Sequence, residues 1–312
     1  MIEVDNLTYS YPKKQCLAID NLSFSVKHNH VLTILGQNGA GKTTLIRILS
    51  NLILPTQGRI NICGIDLLKY SNIARRKIGL VIGDERTFYF RLSGKQNLEF
   101  FGGLYGLQHF ELKSRIKMVL DDVGLTEHAN VKYMRYSTGM KKRLSIARAL
   151  LHRPEVYLLD EPNSGVDPNS AKKIRTIIKS LKDNGKAIIL TTHDMNEAEK
   201  LSDSIGYLKN GSLINQGSLD EFKKLITHHT FRIRISDEQD RQDIEINMLL
   251  ELLKKEDYCK ALDFQNNVLQ IKHNGSFNIN RVFEVINRTG IKVSSANSIE
   301  PSLEDVFIKL SE

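Results

Sequence analysis

The sequence predicts an α/β fold: a mainly parallel sheet covered by helices on both faces, with an antiparallel β portion, a helical insertion and a separate small α+β domain. Three observations carry that prediction. Short apolar runs, Val31-Leu32-Thr33-Ile34-Leu35, Ile78-Gly79-Leu80-Val81-Ile82, Val156-Tyr157-Leu158-Leu159 and Ala187-Ile188-Ile189-Leu190, have the length of strands buried on both faces, and helical segments separate them. From about 84 to 153 apolar residues recur every three or four positions, as in Leu98, Phe101 and Tyr105 or Ile116, Val119, Leu120 and Val123, so that block reads as a helical insertion. Near Thr227-His228-His229 the character shifts, and the remainder reads strand, helix, two strands, helix, strand.

Taken in order, residues 2–10 and 22–27 read as strands. Leu22, Phe24 and Val26 alternate with polar neighbours as a half-buried antiparallel strand does, and Tyr9-Ser10-Tyr11-Pro12 is the turn between. The run from Val31 enters a glycine-rich loop and then a helical pattern, Thr44–Leu49. Pro55 and Gly58 mark a turn before the alternating Arg59-Ile60-Asn61-Ile62-Cys63. A helix at about Ala171–Leu181 joins the runs ending at Asp160 and Thr191. In the remainder, Phe231–Ile235 alternates as a strand. A helix at about 243–255, two strands within 259–272 about an Asn266-Asn267 turn, a helix at about 279–289 and a strand at about 291–297 complete a βαββαβ order, which is ferredoxin-like. A last helix is expected at Ser302–Leu310.

Composition bounds the function. The chain has 312 residues, 41% hydrophobic and 26% charged, enough for one sizeable α/β domain and a smaller one. No run approaches the roughly 20 apolar residues of a membrane span. The opening MIEVDNLTYSYP has neither a basic nor an apolar signal region, so a secretory leader is not expected. Cys16, Cys63 and Cys259 are odd in number and far apart, which suits a reduced cytosol. Residues 1–228 hold 33 Lys and Arg against 22 Asp and Glu, whereas 229–312 hold 11 against 14. A basic front half suits nucleic acid, anionic lipid or ATP alike, and its clusters Arg75-Arg76-Lys77 and Lys141-Lys142-Arg143 read equally well as solvated helix faces.

The most specific stretch is Gly36-Gln37-Asn38-Gly39-Ala40-Gly41-Lys42-Thr43-Thr44, between a strand and a helix. It fills GxxxxGK[ST], the P-loop or Walker A pattern, with Gly36, Gly41, Lys42 and Thr43. Glycines let successive backbone N–H groups turn in around phosphate oxygens, the helix N-terminus adds positive potential, Lys42 reaches the β- and γ-phosphates, and the Thr43 hydroxyl suits Mg²⁺. Such a loop needs an acid at the end of a neighbouring buried strand. Asp160 ends Val156–Leu159 and is placed for the Mg²⁺ shell; Glu161 follows, placed to polarise a water for attack on the γ-phosphate. A GTPase is disfavoured, because no Asn is followed by Lys and a guanine-reading Asn-Lys-x-Asp is therefore absent.

Tyr136-Ser137-Thr138-Gly139-Met140, about twenty residues before that strand, resembles the signature motif of ATP-binding cassette (ABC) ATPases, and its YSTGM form is similar to the ABC-2-type export branch. Asn163-Ser164-Gly165-Val166-Asp167 resembles the D-loop of that family and Thr191-Thr192-His193-Asp194 its H-switch. The likeness covers about residues 2–225, and the closing Glu300–Phe307 is similar to C-terminal extensions of ABC-2 subunits. Residues 1–227 are therefore expected to form the ABC ATPase domain, with a helical subdomain at about 84–153, and 228–312 an accessory domain. Ser137 and Gly139 open a helix, so their hydroxyl and N–H groups make an anion site; the resemblance implies that it caps the ATP held by a second copy of the chain. It further implies nucleotide contacts at Tyr11, stacking on adenine (Tyr9 being the alternative), and at Asp167, with His193 acting on the γ-phosphate and the attacking water. The family carries a glutamine after the strand Ile78–Ile82. Here the sequence is Gly83-Asp84-Glu85-Arg86, so Asp84, or else Glu85, is expected to replace it as sensor or Mg²⁺ ligand. The implied protein is a homodimeric, Mg²⁺-dependent ATPase subunit of an exporter. It would lie in the cytoplasm, peripheral on the inner face of the cell membrane, beneath a permease on a separate chain. A soluble ABC ATPase acting on nucleic acid or ribosomes is the alternative, disfavoured because such proteins carry two cassettes or a long coiled-coil insertion.

Overall fold

The computed structural model describes residues 1–12, 16–83, 87–224, 229–236, 243–256, 259–273 and 277–299, together with Leu303, Val306 and Phe307. Asp84 and Glu85, and most of the expected last helix, lie outside the described residues. Chain contacts separate two units, Met1–Leu219 and Asp220–Glu312.

In the first unit, β1 (Ile2–Ser10) pairs with β2 (Leu17–Val26), which begins earlier than the alternation at 22–27 indicates because the pairing is interrupted by register shifts that break the period of two. After β3 (His30–Leu35) and α1 (Lys42–Leu49), β4 (Gln57–Ile62) and the short β5 (Ile65–Asp66) complete an antiparallel sheet of order β2-β1-β4-β5. A short α2 (Ser71–Arg75) leads to β6 (Ile78–Val81). The helical block is α3 (Gly94–Leu104), started by a Ser93–Gln96 capping box, α4 (His109–Asp122), two single 3₁₀ turns, and α5 (Thr138–Leu150). Then follow β7 (Val156–Asp160), α6 (Pro168–Asp183), β8 (Ala187–Thr192), α7 (Met195–Leu201), β9 (Ser204–Lys209) and β10 (Ser212–Gly217).

The second sheet runs β10-β9-β3-β8-β7-β6, parallel throughout except for the β9–β10 hairpin. Its strands are apolar on both sides because both sides are covered. Val156 and Leu158 of β7 join a core shared with α1 and the antiparallel sheet, while Tyr157 and Leu159 join the core under the helical block and α6. Every parallel strand therefore ends at the same edge, and β3, β7 and β8 deliver the phosphate loop, Asp160–Glu161 and His193 there.

In the second unit, α8 (Leu219–Lys224), which enters it, precedes β11 (His229–Ile235), α9 (Asp243–Lys254), β12 (Cys259–Gln265), β13 (Val268–His273), α10 (Ile279–Thr289) and β14 (Val293–Ile299). The antiparallel order β12-β13-β11-β14 is that of a ferredoxin-like fold. Phe231, Ile233 and Ile235 face its core; Arg232 and Arg234 face out. Asn266 and Asn267, at φ of 50° and 59°, make the two-residue turn that this right-twisted hairpin favours.

Candidate functional site

The phosphate loop sits in a socket that the β9–β10 hairpin and β2 build around it. Gly211 N–H donates to Ala40 O at 3.0 Å. A Cβ at Gly36 would stand 2.4 Å from Leu208 O, and one at Gly41, whose φ is +110°, 2.5 Å from Ala18 O, so no other residue fits either position without moving the backbone. Gln37, Asn38 and Gly39 are exposed, and Ala40 is buried. The Gln37 carbonyl accepts from Ala40 N–H at 3.2 Å, closing the turn. Lys42 opens α1 with its ammonium folded back on the loop, donating to Gly36 O at 2.7 Å and Gln37 O at 3.2 Å. Burial pulls the Lys42 ammonium below the usual lysine range, a shift that the nearby Glu161 and Asp160 carboxylates oppose.

Asp160 is buried and held on both sides: Thr191 Oγ1 donates to its Oδ1 at 2.5 Å and Thr43 Oγ1 to its Oδ2 at 2.9 Å. The Thr43 hydroxyl and Asp160 carboxylate thus form the hard oxygen pair that suits Mg²⁺. Among the described residues no three His, Cys, Asp or Glu side chains gather as a metal cage. Glu161 has a left-handed backbone (φ +49°), and its N–H donates to Thr191 O at 3.1 Å. Its Oε1 lies 2.9 Å from His193 Nδ1 and 3.8 Å from Lys42 Nζ. His193, just beyond β8, is held by Glu161 through Nδ1, and its side chain is 55% exposed, so the ring is reachable by a ligand.

Lys42, Thr43 and Glu161 of this group line a cleft of about 460 Å³, together with Tyr11, Cys16, Leu17, Ala18, Asn38 and Thr44. Tyr11 Oη is 3.1 Å from Thr44 Oγ1, and the Tyr11 ring stands edge-on to Tyr9 at 5.0 Å. Tyr11, not Tyr9, lines the cleft.

Ser137 and Gly139 do not line it. Ser137 caps α5, its Oγ accepting from Met140 N–H at 3.2 Å, and Gly139 lies so close to α6 that a Cβ there would stand 2.2 Å from Ser170 Oγ. Tyr136 of the same motif is buried, donates to His128 O at 2.8 Å and is held protonated by burial, which pushes its hydroxyl up to about 12. Asp167, expected among the nucleotide contacts, stands beside Gly139 and turns its carboxylate onto its own helix. It caps α6 through Asn169 and Ser170 N–H at 3.1 and 3.0 Å, and these bonds, that of Ser170 first, hold its carboxyl below the usual range.

Three contributors were not read from the sequence. The β9–β10 hairpin had a signal, Asn210-Gly211, the strongest short hairpin dipeptide. Glu197 of α7, joined to Asn163 and Arg175, had none, nor had Lys142, whose Nζ donates to Glu161 O at 3.1 Å.

A phosphate loop, a Thr–Asp oxygen pair and a Glu–His pair at one sheet edge, with a second anion-type helix start elsewhere on the chain, define the class: an ABC-type ATPase. Comparison with known proteins agrees. The family model described as ABC transporter matches residues 19–164, and that of the ATP-binding protein DrrA1-3-like C-terminal domain matches 217–311. The ABC transporter ATP-binding protein NatA of Bacillus subtilis is 38% identical over 67% of this chain and 85% of its own length. The bacitracin transport ATP-binding protein BcrA of Bacillus licheniformis is 34% identical over 99% of this chain and 97% of its own. A dimeric ATP-binding cassette solved in a post-hydrolysis state with ADP and Pi superposes with a TM-score of 0.64 at 29% identity, covering 70% of this chain and 99% of that one. The chain belongs to the family of ABC transporter ATP-binding proteins, as an ATP-hydrolysing subunit of the exporter type. Among the described residues no helix is long and apolar enough to cross a membrane.

Proposed function

We propose that the chain works as a homodimer in which the phosphate loop of each copy and Ser137–Gly139 of the other close on one ATP, and that this closure drives a separate permease at the inner face of the membrane. The observation that carries this reading is the separation of the two anion-binding elements: the cleft is lined by Gly41–Thr44 and Glu161 but by neither Ser137 nor Gly139. One copy thus holds half of two sites. The dimeric state of the related cassette is in keeping with it.

Tyr11 takes the adenine ring, the backbone of Gly36–Thr44 takes the phosphates, and Lys42 turns from its two carbonyls to the β- and γ-phosphates. Thr43 and Asp160 would hold Mg²⁺, which when bound would supply positive charge to the phosphates. Glu161 accepts a proton from the water that attacks Pγ, while the bond from Pγ to the β-phosphate oxygen breaks and leaves ADP and phosphate. His193, oriented through Nδ1 by Glu161, donates from Nε2–H to the γ-phosphate. Asp167 acts through the turn it caps beside Gly139. Tyr89, Phe90, Phe100 and Leu104 expose 40–68% of their surface on the helical block, an apolar patch suited to a membrane partner. The names of the relatives, for bacitracin transport and for daunorubicin/doxorubicin resistance, support export.

The test is Glu161→Gln. Loss of the base lowers kcat by about 10²–10⁴-fold and leaves a dimer that persists in ATP on gel filtration. A variant that hydrolyses ATP at the wild-type rate and forms no such dimer refutes the assignment.

A further inference from the structure

Glu161 is held in an unusual place. Its backbone is left-handed, a conformation that a β-carbon disfavours, and the turn that follows is closed by Ser164 N–H donating to Glu161 O at 3.2 Å. The same carbonyl accepts a second, charged donor, Lys142 Nζ at 3.1 Å. Lys142 belongs to α5, the helix that Ser137 caps, and its ammonium also lies 3.7 Å from where a Cβ of Gly83 would stand, at the end of β6. One side chain therefore joins α5 to the residue that follows β7 and passes close to the segment after β6. Gly139, one turn earlier on α5, lies so close to Asp167 and Ser170 that a Cβ there would meet both, so α5 abuts the 161–167 segment at both of its ends.

We propose that Lys142 is a positioning residue for hydrolysis: by holding the Glu161 carbonyl it keeps that left-handed turn in the form that aims the Glu161 carboxylate across the cleft toward the phosphate loop. Because Lys142 rides on the helix that begins at Ser137, the aim of Glu161 follows the state of the neighbouring half-site. A charged donor suits this task, since a carbonyl shared with Ser164 N–H binds an ammonium more strongly than a second neutral donor. The inference rests on Glu161 being the base.

The experiment measures steady-state ATP hydrolysis by the full chain carrying Lys142→Met, Lys142→Arg, Glu161→Gln and the Lys142→Met/Glu161→Gln pair, with thermal unfolding of each. Losing one charge-assisted hydrogen bond on the positioning turn lowers kcat of Lys142→Met about tenfold or more. KM for ATP stays within roughly twofold, because the phosphate contacts are intact. Lys142→Arg recovers most of the rate, and Lys142→Met adds no further loss on Glu161→Gln. Should Lys142→Met fail to fold, Lys142→Gln takes its place with the same expected split. The inference is overturned if Glu161→Gln arrests but the Lys142 variant turns over at the wild-type rate. It is equally overturned if its kcat loss comes with a matching KM rise and a fall in unfolding temperature, the pattern of a merely structural lysine. A Glu161→Gln enzyme with full activity instead removes the parent reading.

Discussion

Gly139 offers the sharpest physical test, because two effects of known size oppose each other there. Alanine in the first turn of α5 gains about 1 kcal/mol of helix propensity over glycine. Its β-carbon, however, would stand 2.2 Å from Ser170 Oγ and 2.6 Å from Ser170 Cβ. The hydroxyl can rotate away; the Ser170 Cβ cannot, since it is fixed to the backbone of α6. Relief requires α5 and α6 to separate, an overpacking cost of about 1–3 kcal/mol in a site where Ser170 is buried. With two Ser170 atoms closer than 3 Å the cost falls in the upper part of that range and exceeds the propensity gain by about 1–2 kcal/mol, so Gly139→Ala lowers the unfolding temperature of the first unit by roughly 2–8 °C, at about 2–4 °C per kcal/mol for a domain of this size. Ser170→Gly alone also destabilises, by removing a side chain from a helix. In the Gly139→Ala background it removes both clashing atoms, so its effect reverses sign and restores stability. Calorimetry of the four proteins without nucleotide decides it. If Gly139→Ala melts at or above wild type, or if Ser170→Gly lowers the melting point of Gly139→Ala further, the close approach of α5 to α6 is not what excludes a side chain.

Thr191→Val removes the hydroxyl that donates to Asp160 Oδ1 and leaves a buried carboxylate oxygen unmet, which costs about 1–3 kcal/mol; Thr191→Ser, keeping the donor, should show much less of this in the same melting experiment. His152 bonds through Nε2 to Ile78 O at 2.9 Å, stacks on Tyr105 just after α3, and buries Nδ1 without a partner. Burial pulls its pKa below 6.5, with Arg115 of α4 acting in the same direction. The unfolded chain therefore holds more protons below that value, so the stability contribution is complete above about pH 6.5 and is lost as pH falls toward the folded pKa. His152→Phe should flatten the difference in melting temperature between about pH 7.5 and 5.5; an unchanged difference would sink the assignment.

What could be read beforehand was whatever depended on local pattern. The phosphate loop, Asp160–Glu161 and the βαββαβ tail follow from short-range rules, because glycine sterics, strand period and turn dipeptides act over a few residues. The partners of Glu161 do not. Lys142 and Thr191 reach it from elsewhere in the chain, and Lys142 meets a backbone carbonyl, which leaves no mark in sequence. Asp167 also carries a local role that the family pattern does not mark: ahead of Pro168 it is the N-cap of α6, and its carboxylate accepts from Asn169 and Ser170 N–H. The early start of β2 is hidden by bulges, whereas the Asn210-Gly211 hairpin is legible by turn chemistry alone.

The two bonds from Lys42 to Gly36 O and Gln37 O bear on how a disabled control should be chosen for complementation in cells. Lys42→Ala deletes a phosphate ligand and also the strut that gives the loop its curvature, so a null phenotype would mix lost charge with lost shape and, through Ala40 and the hairpin behind it, with lowered abundance. Glu161→Gln keeps the loop, its strut and the backbone bonds of Glu161 itself. A strain carrying it separates a subunit that is present and silent from one that is absent.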